Sequence, residues 1–440
     1  MGKKKRAAKS SARAAKVEAL ELSPAADSPS SYAWPLIFCL FAVFFLRFIL
    51  QFDDVEKLGS MDLPSFYSAS VLAFRDGASP YSYSTLAAVL SGDVSKTYPY
   101  LYPPPSLFVF YPLSLLTFAQ AKVLVFTINV SLVALLAFLM PLKLCRLDPR
   151  RHLGLICLCM GMFVLFGPVA QTVDHGQINL WVLSFLVLFW IQSRSGHSLS
   201  AALFLTLAVV LKTYPAMLLP MLWFSGRRRE AVFCMSFLAV LILLSWLTLP
   251  QGLWDEWLFK IAPSGSYTKA PEGLFAPSTI GNQSINGFFS RLYTVGEWAT
   301  PIEINPARGA MLATLSAAAL VILSIFAAFI TRQTPNSLDR AMIVTLPCIF
   351  LIAPFSWFHH LVYMLPTLLM LLCARWRGST LGSLFFLGST LLLTLTMAFG
   401  RMFASELPAA LSLWALALFS VLSDRVVLPG AELDTPERSA

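Results

Sequence analysis

Long apolar runs are the feature of this sequence that most restricts its fold. The runs are about 13 to 25 residues long, and short polar stretches separate them along the 440 residues. A helix that crosses a lipid bilayer needs ~20 mainly apolar residues. Because 57% of the residues are hydrophobic and only 12% are charged, a water-soluble domain could not cover so much apolar surface. The pattern predicts an all-α, polytopic membrane protein.

The distribution of Lys and Arg orients the predicted helices. The chain opens with MGKKKRAAKSSARAAK, and cytoplasmic segments of membrane proteins are enriched in these residues. We therefore place both termini in the cytoplasm, with a basic, disordered tail at 1–32, a transmembrane domain at 33–424 and a C-terminal tail at 425–440. We expect no nucleic-acid binding. The twelve predicted crossings are 33–52, 121–142, 153–171, 178–192, 199–211, 213–224, 231–249, 308–330, 341–355, 361–374, 380–398 and 407–423.

Residues 199–224 can be interpreted as one long helix or as two short crossings. Two crossings keep the basic segment GRRRE at 226–230 in the cytoplasm, as the positive-inside rule requires. Each leg would then be about 18 to 20 Å long, shorter than a ~30 Å hydrocarbon core. We therefore expect residues 211–215 to face the outer side from within a cavity below the membrane surface.

No cofactor, metal site or disulfide is expected from the sequence. It contains no phosphate-binding glycine loop and no zinc-ligand spacing. The seven cysteines fall outside the predicted outer loops, and Cys157 and Cys159 lie in an apolar run where packing is favoured over metal binding. A cation that bridges a carboxylate and a phosphate stays open.

Polar clusters recur at the outer ends of the predicted crossings and in two long outer segments, 53–120 and 250–307. Within the first, residues 105–118 are apolar but too short to cross, so we expect them at the interface. The clusters are DLPSFYSAS at 62–70, GASPY at 77–81, YLYPPPS at 100–106, HGQIN at 175–179, LKTYP at 211–215, GNQSINGFFSRLY at 281–293 and SWFHH at 356–360.

This ordered set resembles glycosyltransferase family 87, integral membrane enzymes of the GT-C fold class. The shared pattern is an Asp before Phe-Tyr and Gly-x-x-Pro-Tyr, then Tyr-Pro-Pro, Gly-Gln-x-Asn, Lys-x-Tyr-Pro, Asn-Gln-Ser and Ser-Trp-x-His-His, over residues 55–370. The resemblance implies a GT-C-like bundle of about 12 transmembrane helices with a long first outer loop. It also implies a polyprenyl-phosphate sugar donor, commonly mannose, and an inverting transfer.

Asp62 is the candidate catalytic base. An inverting transfer needs a carboxylate to take the proton of the acceptor hydroxyl, and by resemblance GT-C enzymes carry this residue in the first outer loop. Asp62 could also cap a helix, because Pro64 follows at an early helical position. Asp54, directly after the first crossing, is the alternative base.

Cationic residues at the outer face are candidates for the donor phosphate. Lys212 in a helix centre would cost about 2.5 to 3.5 kcal/mol, which a polar cavity with a phosphate ligand would explain. Snorkelling to the interface is the alternative. Arg291 and Arg401 could bind phosphate or lipid head groups. His359 and His360 could contact the phosphate or the sugar, or be buried and bonded to the backbone.

His175, Gln177 and Asn179 are candidate substrate-binding residues. They stand at the predicted start of a crossing, where free N–H groups and the helix dipole favour anions and hydroxyl-rich ligands. Helix capping explains Asn179 equally well.

Two further groups of outer residues are candidates for substrate binding. Asn282 and Gln283 could bind the acceptor, although Asn282 also begins the glycosylation sequon Asn-Gln-Ser. Tyr67, Tyr81 and Tyr102 could stack on sugars or belong to an interfacial aromatic belt.

The sequence thus predicts a hexosyltransferase of the cell membrane with its active site on the outer face. The expected partners are a polyprenyl-phosphate-linked sugar donor, a glycolipid or glycan acceptor, and membrane lipid. A transporter or flippase of lipid-linked sugars is the alternative, because it would need the same polar cavity without a base.

Overall fold

The computed structural model describes residues 32–54, 57–90, 97–296, 299–334, 336–377, 379–399, 406–423 and 425–429. Most of the predicted N-terminal tail, the candidate Arg401 and residues 430–440 lie outside the described residues. Within these ranges the chain is mainly helical and has only one pair of two-residue strands, so the prediction of an all-α protein is confirmed.

Helices of six or more residues follow one another along the described chain. They are α1 (Ala33–Ile49), α2 (Leu63–Phe74), α3 (Tyr83–Ala88), α4 (Leu107–Ser114), α5 (Phe118–Leu139), α6 (Leu153–Val164), α7 (Gly167–Asp174), α8 (Asn179–Arg194), α9 (Ser198–Leu211), α10 (Leu218–Phe224), α11 (Arg228–Thr248), α12 (Ile285–Tyr293), α13 (Pro306–Ile330), α14 (Ser337–Ile352), α15 (Leu365–Leu372), α16 (Thr380–Phe399) and α17 (Glu406–Leu422).

Short turns and one strand pair connect these helices. The 3₁₀ helices are Pro104–Ser106, Tyr214–Met217 and Phe358–Met364, the π turns are Met140–Leu144 and Trp257–Ile261, and the short α turns are Leu253–Glu256 and Ala262–Ser264. Strand β1 (Arg375–Trp376) pairs antiparallel with β2 (Val426–Val427). The start of the predicted C-terminal tail therefore packs back onto the chain after α15.

Local sequence determines several helix starts. Thr117 and Gln120 form a capping box before α5, in which two side chains satisfy otherwise unpaired N–H groups. The side chain of Asn305 accepts from the N–H of Arg308 at the start of α13, and Pro306 occupies the first helical position, where its missing N–H is not needed.

Each of the twelve predicted crossings coincides with a helix or with two consecutive helices. By length and composition, four helices in the described ranges are suited to crossing a membrane, and the pair α6–α7, bent by 42°, would be a fifth. The four are Phe118–Leu144, Arg228–Thr248, Pro306–Ile330 and Thr380–Met397. The structure therefore supports a membrane protein, and the number of twelve crossings stays a prediction.

The bundle has a buried centre and an apolar outer surface. All positions of α14 from Ala341 to Leu351 are buried, where the helix packs against α13, α17 and the 3₁₀ helix Phe358–Met364. By contrast, α11 presents large apolar side chains outward, and Trp246 and Leu247 are 68% and 63% exposed. Because such a surface is unfavourable in water, it is suited to contact with lipid.

Residues 199–224 are not one continuous helix in the structure. Helix α9 ends at Leu211, and Lys212 adopts an extended conformation with φ −146° and ψ 132°. The 3₁₀ turn Tyr214–Met217 follows and contains Pro215, which lacks the N–H needed to continue the helical ladder. The interruption places Lys212 outside regular helix.

Candidate active site

Asp62 lies directly before α2, held by main-chain hydrogen bonds to the turn after α7. Its N–H donates to the carbonyl of His175 at 3.0 Å, and the N–H of Gly59 donates to the carbonyl of Asp174 at 2.8 Å. Asp62 occupies the N-cap position, but its side chain accepts no capping hydrogen bond from the described residues. The carboxylate is therefore available for other contacts.

Two glycines allow this close approach. Gly176 has a positive φ of 66°, and a Cβ built at this position would lie 2.9 Å from both Gly59 Cα and Leu63 Cβ. L-residues with a side chain rarely adopt this conformation, and a methyl group would separate the two segments. Gly59 and Gly176 thus bring the turn after α7 against the start of α2.

His175 lies between two carboxylates. Its Nδ1 is 3.5 Å from Asp62 Oδ2, and its Nε2 is 3.9 Å from Asp174 Oδ2. On its other side the imidazole ring meets the ring of His359 edge to face, with 5.3 Å between centroids. His175 therefore connects the acidic part of the site with the paired histidines.

The paired histidines lead to a buried lysine. The rings of His359 and His360 stand nearly perpendicular with 4.6 Å between centroids, and Lys212 Nζ lies 3.0 Å from His360 Nε2. The buried Nε2 of His359 has no hydrogen-bond partner among the described residues. One donor or acceptor in this part of the site is thus left for a ligand.

Lys212 is a buried amine without a carboxylate in contact. Its exposed fraction is 3%, and in the described part of the chain it forms no ion pair with a carboxylate. Burial lowers the pKa of Lys212 to about 7, and the charge of Asp62 opposes this effect. Because an unpaired buried charge is unfavourable, the position is suited to an anionic ligand.

Tyr98 and Tyr102 flank the acidic end of the cluster. Burial raises the pKa of the Tyr98 phenol, with further contributions from the charge of Asp62 and from Tyr83. Burial likewise raises the pKa of Tyr102 well above its usual value, Tyr214 and Asp62 add to the effect, and a hydrogen bond with Gln177 opposes it. Both phenols therefore stay protonated hydrogen-bond donors beside Asp62.

Asn179 forms a hydrogen bond with the backbone of the histidine pair. Its Nδ2 donates to the carbonyl of His359 at 3.3 Å, and its Oδ1 accepts from the hydroxyl of Tyr363 at 2.9 Å. The residue is fully buried at the first position of α8. Its amide is therefore engaged in positioning the 3₁₀ helix that carries His359.

Asn282 and Gln283 connect the loop before α12 to other parts of the chain. Asn282 donates to the carbonyls of Pro277 and Pro354 and accepts from the N–H of Ser356 at 3.0 Å. Gln283 donates to the carbonyl of Ile280 and accepts from the N–H of Leu407. These contacts hold the loop before α12 against the segment that precedes the histidine pair.

The remaining predicted site residues in the described ranges form contacts with other parts of the protein. Arg291 Nη1 donates to the carbonyls of Thr279 and Asn282 at 3.2 and 3.0 Å. Tyr81 donates to the carbonyl of Tyr102, and Tyr67 donates to that of Leu116. Asp54 forms an ion pair of 2.5 Å with Lys57 at an exposed position.

The structure adds residues that the sequence patterns did not single out. Tyr214 lies within the cluster LKTYP, and Asp174 directly precedes the cluster HGQIN. The sequence could therefore have indicated both residues. Phe275 was not signalled; its ring lies 5.7 Å from that of Tyr98 and 5.8 Å from that of Trp357. The contact between Phe275 and Tyr98 connects the two long segments 53–120 and 250–307.

No group of three or more His, Cys, Asp or Glu side chains in the described ranges is placed to hold a metal ion. The described polar cluster contains two carboxylates, three histidines and one lysine, contributed by segments that are distant in sequence.

The fold and this cluster define a helical membrane protein whose site contains acid–base groups and a buried cation. A model of glycosyltransferase family 87 matches residues 100–354, more than half of the chain, and the protein belongs to this family. The matched region contains His175, Lys212 and Arg291, whereas Asp62, His359 and His360 lie outside it.

Two curated mannosyltransferases are similar to the chain. The polyprenol-phosphate-mannose-dependent alpha-(1-2)-phosphatidylinositol pentamannoside mannosyltransferase of Mycolicibacterium smegmatis is 28% identical over 281 residues, covering 62% of this chain and 61% of the relative. The polyprenol-phosphate-mannose-dependent alpha-(1-2)-phosphatidylinositol mannoside mannosyltransferase of Mycobacterium tuberculosis is 24% identical over 325 residues, covering 71% and 70%. The match thus spans less than two thirds of the first relative.

Proposed function

We propose that the protein transfers a mannosyl residue from a polyprenyl-phosphate donor to a hydroxyl of a glycolipid acceptor, with inversion at the anomeric carbon. The donor and the acceptor class are those named for the two relatives. The observation that supports this function most is the continuous series Asp62, His175, His359, His360 and Lys212, which has a carboxylate at one end and a buried ammonium at the other.

The two ends of the series suit the two halves of the reaction. Asp62 takes the proton of the acceptor hydroxyl as its oxygen bonds to the anomeric carbon, and its charge favours the positive character that develops there. The bond from the anomeric carbon to the phosphate oxygen breaks, and Lys212 stabilises the departing phosphate through a charge-assisted hydrogen bond. His359 Nε2, buried without a partner among the described residues, is a second group for that phosphate.

The sugars would bind between the two long segments, 53–120 and 250–307. Tyr102 lies within electrostatic range of Asp62 and forms a hydrogen bond with Gln177, so its hydroxyl is the candidate contact to a sugar, while Tyr81 donates to the backbone carbonyl of Tyr102. Arg291 stays a candidate for the donor phosphate. Tyr67, Asn179, Asn282 and Gln283 then serve the site by holding its segments, because their polar atoms bond to other parts of the protein.

The polar cluster is best placed on the outer face of the cell membrane. Helix α8 begins at the cluster and has 16 residues, which corresponds to a length of roughly 24 Å. At its far end Arg194 donates to the carbonyls of Lys143 and Leu144, and Arg227 donates to that of Ser193. Basic segments gather at that end, which favours the cytoplasm there and supports twelve crossings with both termini inside.

Replacement of the proposed base tests the function. Asp62→Asn keeps the shape of the side chain but cannot take the proton, so we expect turnover to fall by about 10² or more, with donor binding unchanged. Mannosyl transfer by the purified, full-length protein from a polyprenyl-phosphate-mannose donor to a glycolipid is the measurement.

Asp54→Asn is the matched control and should have a much smaller effect. If Asp54→Asn abolished transfer and Asp62→Asn did not, the base would be Asp54. If neither variant lost activity, or if the protein moved the donor lipid without transferring its sugar, a transporter or flippase would be the better description.

A further inference from the structure

We infer that His175 and Asp174 carry the acceptor proton from Asp62 to the outer solution after each transfer. The inference rests on the proposed function, in which Asp62 becomes protonated and must lose its proton before the next turnover. It assigns to His175 a role in proton transfer and gives Asp174, which no sequence pattern marked, a place in the site.

The three side chains form a path from the site to solvent. His175 Nδ1 is 3.5 Å from Asp62 Oδ2, and His175 Nε2 is 3.9 Å from Asp174 Oδ2. The side chains of Asp62 and His175 are 20% and 16% exposed, whereas that of Asp174 is 52% exposed. One imidazole thus presents each of its nitrogens to a different carboxylate, and the outer carboxylate is hydrated.

Main-chain contacts hold this geometry in place. The carbonyl of His175 accepts from the N–H of Asp62, and the carbonyl of Asp174 accepts from the N–H of Gly59. The N–H of His175 itself donates to the carbonyl of Gln171 at the end of α7. The main chain thus keeps the three side chains next to one another, and catalytic contacts of this length often tighten when substrate binds.

Charged and titratable groups surround His175 on three sides. Asp62 and Asp174 face it from the two carboxylate sides, while the ring of His359 and, beyond it, Lys212 lie on the third side. The two carboxylates stabilise the positive charge that the imidazole ring carries while the proton passes.

The proton balance of the step is complete. In the transfer the acceptor oxygen bonds to the anomeric carbon, the phosphate departs with the bonding electrons, and the hydroxyl proton moves to Asp62 Oδ2. Protonated Asp62 then gives this proton to Nδ1 of neutral His175. The imidazolium releases the proton that Nε2 carried to Asp174 or to water, which leaves a proton on Nδ1, and proton exchange with water returns the ring to the original tautomer.

The prediction separates the first turnover from the later ones. Asp174→Asn should leave the first transfer within about twofold of wild type, because Asp62 is present at the start. In this variant and in His175→Ala, later turnovers should be about tenfold slower or more, because Asp62 loses its proton slowly. Rapid-mixing kinetics with radiolabelled polyprenyl-phosphate mannose and the full-length protein in lipid nanodiscs would show this as a burst.

Added imidazole gives a second readout that a structural role would not move. It should restore the later turnovers of His175→Ala, where the side-chain space is open, and should leave wild type unchanged. Asp76→Asn, an exposed acidic position after α2, is the matched control for Asp174→Asn and should show no burst.

The outcomes distinguish failure of the relay from failure of the proposed function. Unchanged steady-state turnover in both variants, with Asp62→Asn inactive, would overturn the relay alone. Loss of the first turnover without imidazole rescue would assign His175 to substrate binding or folding and would also overturn it. Full activity of Asp62→Asn would remove the base itself, and the relay with it.

Discussion

At the scale of single residues, replacement of Lys212 tests whether its charge serves donor binding or the stability of the fold. Lys212→Met keeps the length of the side chain and removes the charge. We expect the KM for the lipid-phosphate donor to rise about tenfold or more, because one charge-assisted hydrogen bond is lost. Thermal stability should stay equal or increase, because an unpaired buried ammonium is removed.

The matched control for this prediction is Lys260→Met, since Lys260 is an exposed residue paired with Glu256. Steady-state kinetics at varied donor concentration and thermal unfolding in detergent are the measurements. An unchanged donor KM in Lys212→Met, or a marked loss of stability, would contradict the assignment of Lys212 to phosphate.

Gly176 is the residue on which the position of His175 depends. Gly176→Ala introduces a methyl group at 2.9 Å from two atoms of the facing segment at a positive φ, so we expect unfolding to become easier by roughly 1 to 3 kcal/mol. The transfer activity of the folded variant should also fall, because the turn that carries His175 moves away from Asp62.

Gly196→Ala is the control for Gly176→Ala. Gly196 also has a positive φ, of 79°, but nothing lies within 4 Å of its virtual Cβ. Both variants carry the same backbone strain, so the difference in melting temperature measures the contact with Gly59. Equal melting temperatures and equal activities would show that the contact has no such role.

The residue types of the site were readable from the sequence, but their partners were not. Asp62, Lys212 and the paired histidines stood out as polar residues at the ends of apolar runs. Nothing in the local pattern revealed that Gly59 meets Gly176, because that contact depends on the packing of two segments that are far apart in the chain. Those site roles stay predictions.

At the scale of helices, the apolar runs located the helices of the twelve predicted crossings, but α2, α3, α12 and the strand pair were not predicted. Residues 153–171 are predicted as one crossing, whereas the structure divides them into α6 and α7 with a bend of 42°. Pro168 stands in the first turn of α7 and cannot donate to the preceding turn, so a new helix begins there. The bend aims the end of α7, with Asp174, at the site.

The topology around α9 and α10 gives a prediction at this scale. Arg229→Cys and Lys269→Cys place thiols at two exposed positions that the proposed orientation puts on opposite sides. A membrane-impermeant maleimide added to intact cells should label the cysteine at 269 and leave that at 229 unlabelled until the cells are permeabilised.

The wild-type protein, with its seven cysteines, supplies the background for this labelling. Reaction of the cysteine at 229 from outside would mean that residues 199–224 form a single crossing. The submerged position of Lys212 would then lose its support, although the contact between Lys212 and His360 would remain.

At the scale of the whole molecule, the protein has an apolar exterior around a polar centre. The outward side chains of α11 and α13 are large and apolar, while the cluster of Asp62, the histidines and Lys212 lies among buried helices. Composition alone predicted the exterior, because lipid is the only solvent suited to it. The number of crossings could not be derived in the same way, since several of the helices are shorter than a bilayer is thick.

The origin of the cluster in distant parts of the chain has a consequence for biosynthesis. Asp62 precedes α2, whereas His359 and His360 follow α14, and Lys212 lies between them in sequence. Ribosomes deliver the N-terminal part of a chain first, so Asp62 reaches the membrane long before its partners do. A nascent chain that is already inserted is therefore catalytically silent until the segment after α14 has been synthesised and has docked.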